Sequence, residues 1–252
     1  MLTTSYEPIS TEQMAQAARD LARVCPILRP IIAKVGACAL KPKKMRAPYE
    51  SLVRAIANQQ LNGKAAQTIL DRFCALTPDV SFPTPEGVLK LKPEQLRGVG
   101  FSGAKVLAIR DIAEKAAQGL VPSSRDLLRM GDDEIVERLV ALRGVGRWTV
   151  EMMLIFQLGR HDILPVDDFG VRRGFQLASG EKDMRKPKDL LAYGERWRPW
   201  RTIASWYLWR ATEILQVSKA PSAPKKAAAT KVVAKKVAVA KKPVAAKKRA
   251  RP

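Results

Sequence analysis

Leu142-Arg143-Gly144-Val145-Gly146-Arg147-Trp148-Thr149-Val150 is the stretch on which the reading of this chain turns. Upstream of it, Ile135, Val136, Leu139, Val140 and Leu142 recur at helical spacing, so a helix is expected to end at Leu142. Gly144 and Gly146 permit backbone angles closed to other residues and let the chain approach a ligand closely. Val145 between them can plug into the core and fix the turn. A second helix then begins near Arg147 with its free N–H groups pointing outward, and amides at a helix start make an anion site. Such a site suits a phosphate and holds it without reading bases. The turn alone reads equally well as a tight helix–helix connection.

Working outward, Leu96-Arg97-Gly98-Val99-Gly100 is a near-repeat of the same turn. Each copy follows an amphipathic segment and precedes another helix, which suggests two helical hairpins in one body. Leu52, Val53 and Ile56 line one face of residues 49–60, and Ala66, Ile69, Leu70 and Phe73 do the same in the next segment. Proline and glycine clusters punctuate these segments, and no run of alternating β-branched residues interrupts them. Thr11 with Met14 is a weak helix start. Gly131-Asp132-Asp133-Glu134 is a stronger one, because it puts acids where the helix dipole favours them. The expected class is all-α.

The charge is large and unevenly placed. The 252 residues carry a formal net charge of +21. Residues 218–252 hold ten lysines, two arginines and no acid, so they carry +12 and leave +9 on residues 1–217. A basic body with a more basic tail points to a polyanion, and nucleic acid rewards such charge through counterion release. An anionic membrane surface is the alternative, but lysine, alanine, valine and proline supply no large apolar anchor. The tail cannot bury enough surface to offset its ordering entropy and is expected to be disordered. It resembles the lysine-alanine tails of linker histones and bacterial histone-like proteins. No stretch is long and apolar enough to cross a bilayer, and the first residues lack the basic start and apolar run of a secretory signal. Cys25, Cys38 and Cys74 are dispersed and odd in number, as free thiols in a reducing cytosol would be. The protein is expected in the cytoplasm, as a monomer on the bacterial nucleoid.

Beyond the hairpin comes His161-Asp162-Ile163-Leu164-Pro165-Val166-Asp167-Asp168-Phe169-Gly170-Val171-Arg172-Arg173. This order and spacing resembles the helix–hairpin–helix glycosylase superfamily: a hairpin, a proline- or glycine-containing loop, then an essential aspartate. Three further stretches are similar to its alkylation-repair branch, the 3-methyladenine DNA glycosylase II family. They are Ile56-Ala57-Asn58-Gln59-Gln60-Leu61, Glu195-Arg196-Trp197-Arg198-Pro199-Trp200-Arg201, and Ala204-Ser205-Trp206-Tyr207-Leu208-Trp209. The resemblance spans about residues 45–215. It implies a two-lobed helical fold, with residues 49–157 in one lobe, the chain ends in the other and a cleft between them. It implies an enzyme that flips an alkylated purine, such as 3-methyladenine or 7-methylguanine, out of double-stranded DNA. The N-glycosidic bond is then hydrolysed, leaving an abasic site.

The resemblance also assigns residues. Asp168 becomes the catalytic carboxylate, stabilising positive charge that develops on the deoxyribose and orienting or deprotonating water. It starts a helix after Pro165, where the dipole keeps it ionised. Asp167 is expected to cap that helix. Superfamily branches with a single acid here make Asp167 the rival for catalysis. Trp148 occupies the place where a glycosylase with lyase activity carries a Schiff-base lysine, so a monofunctional enzyme is implied. Its indole would also attract a base made cationic by alkylation. Trp209 is expected as the facing wall or the shelf beside the aspartate, with Trp206 and Tyr207 as lesser pocket candidates. For Trp197, Trp200 and Trp206 plain core packing is preferred. Gly144, Val145, Gly146, Arg147 and Thr149 would hold DNA. Gln60 and Leu61 correspond to the wedge that fills the hole left by the flipped base, with a buried helix cap as the alternative.

The absences are informative as well. His161 is the only histidine, which rules out a multi-histidine metal site, and three dispersed cysteines cannot supply the four thiolates of an iron–sulfur cluster. No organic cofactor is expected. A monovalent cation on the hairpin carbonyls is implied by the resemblance alone. The competing functions are a non-catalytic architectural DNA-binding protein, which the tail alone would favour, and a glycosylase with lyase activity.

Overall fold

The computed structural model describes residues 6–43 and 46–216, and every regular element among them is helical. They belong to one compact unit, Met1–Lys219. The basic stretch expected to be disordered lies outside the described residues.

The helices are α1 (Thr11–Val24), α2 (Leu28–Val35), α3 (Pro48–Asn58), α4 (Gly63–Cys74), α5 (Pro85–Lys90), α6 (Pro93–Gly98) and α7 (Gly103–Ala117). They continue as α8 (Ser124–Leu127), α9 (Asp132–Val140), α10 (Arg147–Phe156), α11 (Phe169–Ser179), α12 (Pro187–Gly194) and α13 (Arg201–Gln216), with a 3₁₀ turn at Glu195–Trp197 before the last. Local chemistry sets their starts. Asn62, Thr84 and Ser102 each accept a first-turn amide at the heads of α4, α5 and α7, a contact worth about 1 kcal/mol. The acids of the first turn of α9 lie where expected. The start of α1 does not. Its cap is Ser10, whose hydroxyl accepts Gln13 N–H while the Gln13 side chain accepts Ser10 N–H. Thr11, read as a weak cap, is the first residue inside the helix.

Two groups of helices form. From the chain ends, α1 packs on α2 and α13, α2 on α13, and α11 on α13. From the middle, α3 packs on α4 and α7, α5 and α6 on α7, and α9 on α10. This is the grouping a two-lobed helical fold requires. In the first group Trp197 is fully buried against Phe175 and Tyr193, the latter pair meeting edge to face at 4.9 Å. Trp206 is buried too, and Trp200 packs on the core while its Nε1 donates to Asp20 on α1 at 3.2 Å. All three do the core work expected of them. The three cysteines are free, and burial pushes the Cys38 thiol up to about 11.

The two glycine turns share a pentapeptide but not a backbone. Val99 and Val145 are both buried plugs. In the first turn, however, Gly98 still belongs to α6 and Gly100 takes φ +115°. In the second, α9 has already ended at Val140 and Gly144 takes φ +78°. In aligned register the preceding helix runs four residues further in the first turn, and the left-handed residue comes two positions later.

Candidate active site

Helix α10 positions half of the site. Gly144 has no room for a side chain: an added Cβ would lie 3.1 Å from Ala108 Cβ and 3.3 Å from Ile56 Cδ1. Gly146 caps α10 and faces open space, with nothing within 4 Å of where its Cβ would be. The amides of Arg147 and Trp148 fall in the first turn, where a helix offers no carbonyl of its own. Thr149 N–H donates to Gly146 O at 2.9 Å, so that amide is taken up within the turn, while its side chain lies on the wall of the cavity described below. Val145 turns inward and serves the turn rather than a ligand.

The other half comes from the loop between α10 and α11. Arg198 and Arg201 both pair with Asp162, at 2.6 and 2.7 Å, and Ile163 N–H donates to Thr202 Oγ1 at 3.0 Å. These contacts stitch the loop to the head of α13. The loop then delivers Asp168, whose N–H donates to Pro165 O at 3.0 Å. Asp168 Oδ1 accepts Val171 N–H and Trp209 Nε1–H, and Oδ2 accepts Trp148 Nε1–H, each at 2.8 Å. Two indoles from opposite ends of the motif therefore converge on one carboxylate. The expected division of labour within the acid pair is corrected: Asp168 itself caps α11, and Asp167 is exposed. Asp167 cannot cap because its side chain lies one residue too early to reach the amide of Val171.

Trp148 is 47% exposed and lines a cavity of about 530 Å³, within the range of small-ligand sites. Its apolar wall includes Leu52, Met152 and Phe156, and Lys43, Gln60 and Gln157 add polar groups. Trp209 is not part of that lining. It stacks on Phe156 at 5.7 Å and braces the wall from behind, so of its two expected places it takes the shelf beside the aspartate. Tyr207 is a correction. It is fully buried and its hydroxyl donates to Gly36 O at 2.8 Å, which locks α13 to the end of α2. It does not reach the cavity, because helical spacing turns it away from the side on which Trp209 meets Asp168.

Gln60 lines the cavity with φ +57°, and Leu61 beside it is 40% exposed. A left-handed residue other than glycine costs roughly 1–2 kcal/mol. The cap of α4 is Asn62, so the buried-cap alternative for Gln60 and Leu61 is set aside.

Sequence reasoning missed three neighbours. Gly170 leaves space for the site: a Cβ there would lie 2.8 Å from Trp209 Cδ1 and 3.1 Å from Asp168 Oδ1. Phe169, directly after the aspartate, is 67% exposed. Glu151 is buried and accepts Arg147 Nε–H at 2.9 Å, while its second oxygen has no hydrogen-bond partner among the described residues. Burial pushes its carboxyl up to about 7, with Asp167 and Asp168 adding to the rise and Arg147 opposing it. The i, i+4 spacing of Arg147 and Glu151 was the available signal.

Fold and site together define a helical protein in which a glycine hairpin opens α10 and a carboxylate is held by two indoles. Residues 53–199 match the HhH-GPD superfamily of base excision DNA repair proteins, and the chain belongs to it. It is 40% identical over 181 residues to DNA-3-methyladenine glycosylase 1 of Schizosaccharomyces pombe, covering 72% of this chain and 79% of that one. The solved structure of that S. pombe glycosylase in complex with abasic DNA superposes with a TM-score of 0.70 at 36% identity, over 79% of this chain and 97% of the other. A DNA-3-methyladenine glycosidase from Bacillus halodurans superposes with a TM-score of 0.71 at 32% identity, over 80% and 91%.

Proposed function

We propose that this protein is a monofunctional DNA glycosylase that excises alkylated purines from double-stranded DNA. The observation that carries the reading is the Asp168 carboxylate, gripped by Trp148 and Trp209 beside a largely apolar cavity with room for a base. A purine alkylated at N3 or N7 is cationic in the nucleotide. It leaves as a neutral base once its bond to C1′ breaks, and the positive charge passes to the sugar. Asp168 stabilises that charge and orients the water whose oxygen then bonds to C1′ as its proton passes to the carboxylate. Trp148 offers an electron-rich surface to the cationic base. The Arg147 side chain and the amides at the head of α10 hold the backbone phosphate, and Leu61 with Gln60 occupies the space the base vacates. A purely architectural protein has no use for a carboxylate held by two indoles.

No lysine stands at Trp148, so the sugar is released to water and not to a Schiff base. No organic cofactor enters the reaction. A monovalent cation would sit on the hairpin carbonyls, which fit it as a set of neutral oxygens: Leu142 O and Gly144 O each accept one hydrogen bond and keep one lone pair. Bound there, such a cation would supply positive charge for a DNA phosphate. The protein acts as a monomer in a bacterial cytoplasm, on the nucleoid, where the basic tail keeps it close to DNA. Release of 3-methyladenine and 7-methylguanine from alkylated duplex by the full chain tests the reading. Absence of any base release would overturn it.

A further inference from the structure

Of the two glycine turns, the proposed function uses only the second. The first, residues 96–100, leads through the Ser102 cap into α7, and Lys105 lies in the first turn of that helix. Its ammonium leaves α7 and donates to Ala57 O at 2.8 Å and Gln59 O at 2.7 Å. These carbonyls close the C-terminal end of α3, where acceptors lack amides of their own and positive charge is favoured. Among the described residues Lys105 makes no ion pair, so its charge serves those carbonyls. Gln59 then reaches the other way, donating from Nε2 to Gly144 O in the hairpin at 3.0 Å. The turn at residues 59–62, with Gln60 left-handed and Leu61 exposed, is therefore tied to the first turn of α7 on one side and to the hairpin on the other.

We propose that Lys105 is a positioning residue for base extrusion: with Gln59 it braces the Gln60–Leu61 turn against the phosphate-holding hairpin, so that the wedge stays rigid as it enters the base stack. The assignment rests on the wedge reading above. A side chain that replaces a flipped base is pushed by the stack it props open, and a turn that yields lets the base return. A lone left-handed residue persists only where its surroundings over-determine it. Here those surroundings are the Lys105 and Gln59 tethers.

The test compares single-turnover release of 7-methylguanine, with enzyme in saturating excess, from two substrates. One carries the lesion paired with cytosine in a duplex; the other carries it unpaired in a bulge, where unstacking costs least. Lys105→Met and Gln59→Leu should each slow the duplex reaction roughly tenfold, as expected when hydrogen bonds that hold one geometry are lost. The bulged substrate should slow less than about threefold. Lys105→Arg, whose fork also spans two acceptors, should recover most of the duplex rate. Leu61→Ala is the reference and should show the same duplex-selective loss. If Leu61→Ala is duplex-selective but the tether variants slow both substrates alike, or neither, the positioning role is refuted while the wedge stands. If Leu61→Ala is not duplex-selective, the wedge reading fails and the assignment with it. A wild-type protein inactive on both substrates would instead refute the proposed function. Should Lys105→Met not fold, Gln59→Leu and Lys105→Arg decide by the same criteria.

Discussion

Replacing Asp168 with asparagine removes one negative charge and changes little else in size. The structure says what the new amide would meet. Asp168 accepts two N–H donors on Oδ1 and one on Oδ2. Asparagine can keep its oxygen toward Val171 and Trp209, but its NH₂ then faces Trp148 Nε1–H, and two donors repel. The Trp148 tether is lost in the ground state. The larger loss comes in the transition state. A unit charge about 4 Å from the developing cation is worth ~4 kcal/mol at an effective dielectric near 20. That corresponds to about a thousandfold in rate. Binding to abasic-site DNA should change little, because the charge acts only while the bond breaks. The assay is single-turnover 7-methylguanine release at saturating enzyme, with affinity for abasic duplex measured alongside. Asp167→Asn, on an exposed residue that touches neither indole, should slow release less than about tenfold. The reasoning is refuted if Asp168→Asn keeps its rate within tenfold, or if Asp167→Asn proves the more damaging change.

Four further outcomes follow from the same geometry. Borohydride should trap no covalent protein–DNA adduct on alkylated duplex; a trapped adduct would overturn the monofunctional assignment and make Lys43, which lines the cavity, the first amine to replace. Deleting residues 218–252 should flatten the salt dependence of DNA binding, whose slope scales as roughly −0.9 per neutralised phosphate, and leave the single-turnover rate unchanged; loss of the chemical step in a folded truncation would place the tail in the active site. Glu151, raised from 4.5 to about 7, costs folding free energy once ionised. Its folded value lies above its unfolded one, so wild type should lose stability relative to Glu151→Gln as pH rises from about 4.5 to about 7, by on the order of 3 kcal/mol. Urea midpoints of both proteins at pH 5 and pH 8 measure that gap, and a gap that fails to widen contradicts the burial argument. Tyr207→Phe should lower stability by about 1 kcal/mol by leaving Gly36 O without its donor; excision should be unaffected, and a selective fall in excision would return Tyr207 to the pocket.

The parts legible in sequence are those whose cause is local. Helical periodicity gave away the all-α class, since burial of one face repeats every three or four residues. The hairpin at Gly144 and Gly146 was readable because turns are made by neighbours in the chain, and so was the excess of charge that calls for a polyanion. The motif marked the pair Asp167-Asp168 and the resemblance chose Asp168 for catalysis, but it gave the helix cap to Asp167, which the fold assigns to Asp168 as well. Only the fold decided that the indoles of Trp148 and Trp209, 20 and 41 residues away, close on the second acid. Tyr207 and Trp209 lie two residues apart on one helix, and both were expected at the pocket, Trp209 ahead of Tyr207. Packing buried the first against α2 and turned the second to Asp168. Glu151, Gly170 and the reach of Lys105 across 48 residues to Ala57 belong to the same class. Their roles depend on which surfaces meet, and helix contacts across a fold are set by the packing of whole faces, which no local stretch of sequence encodes.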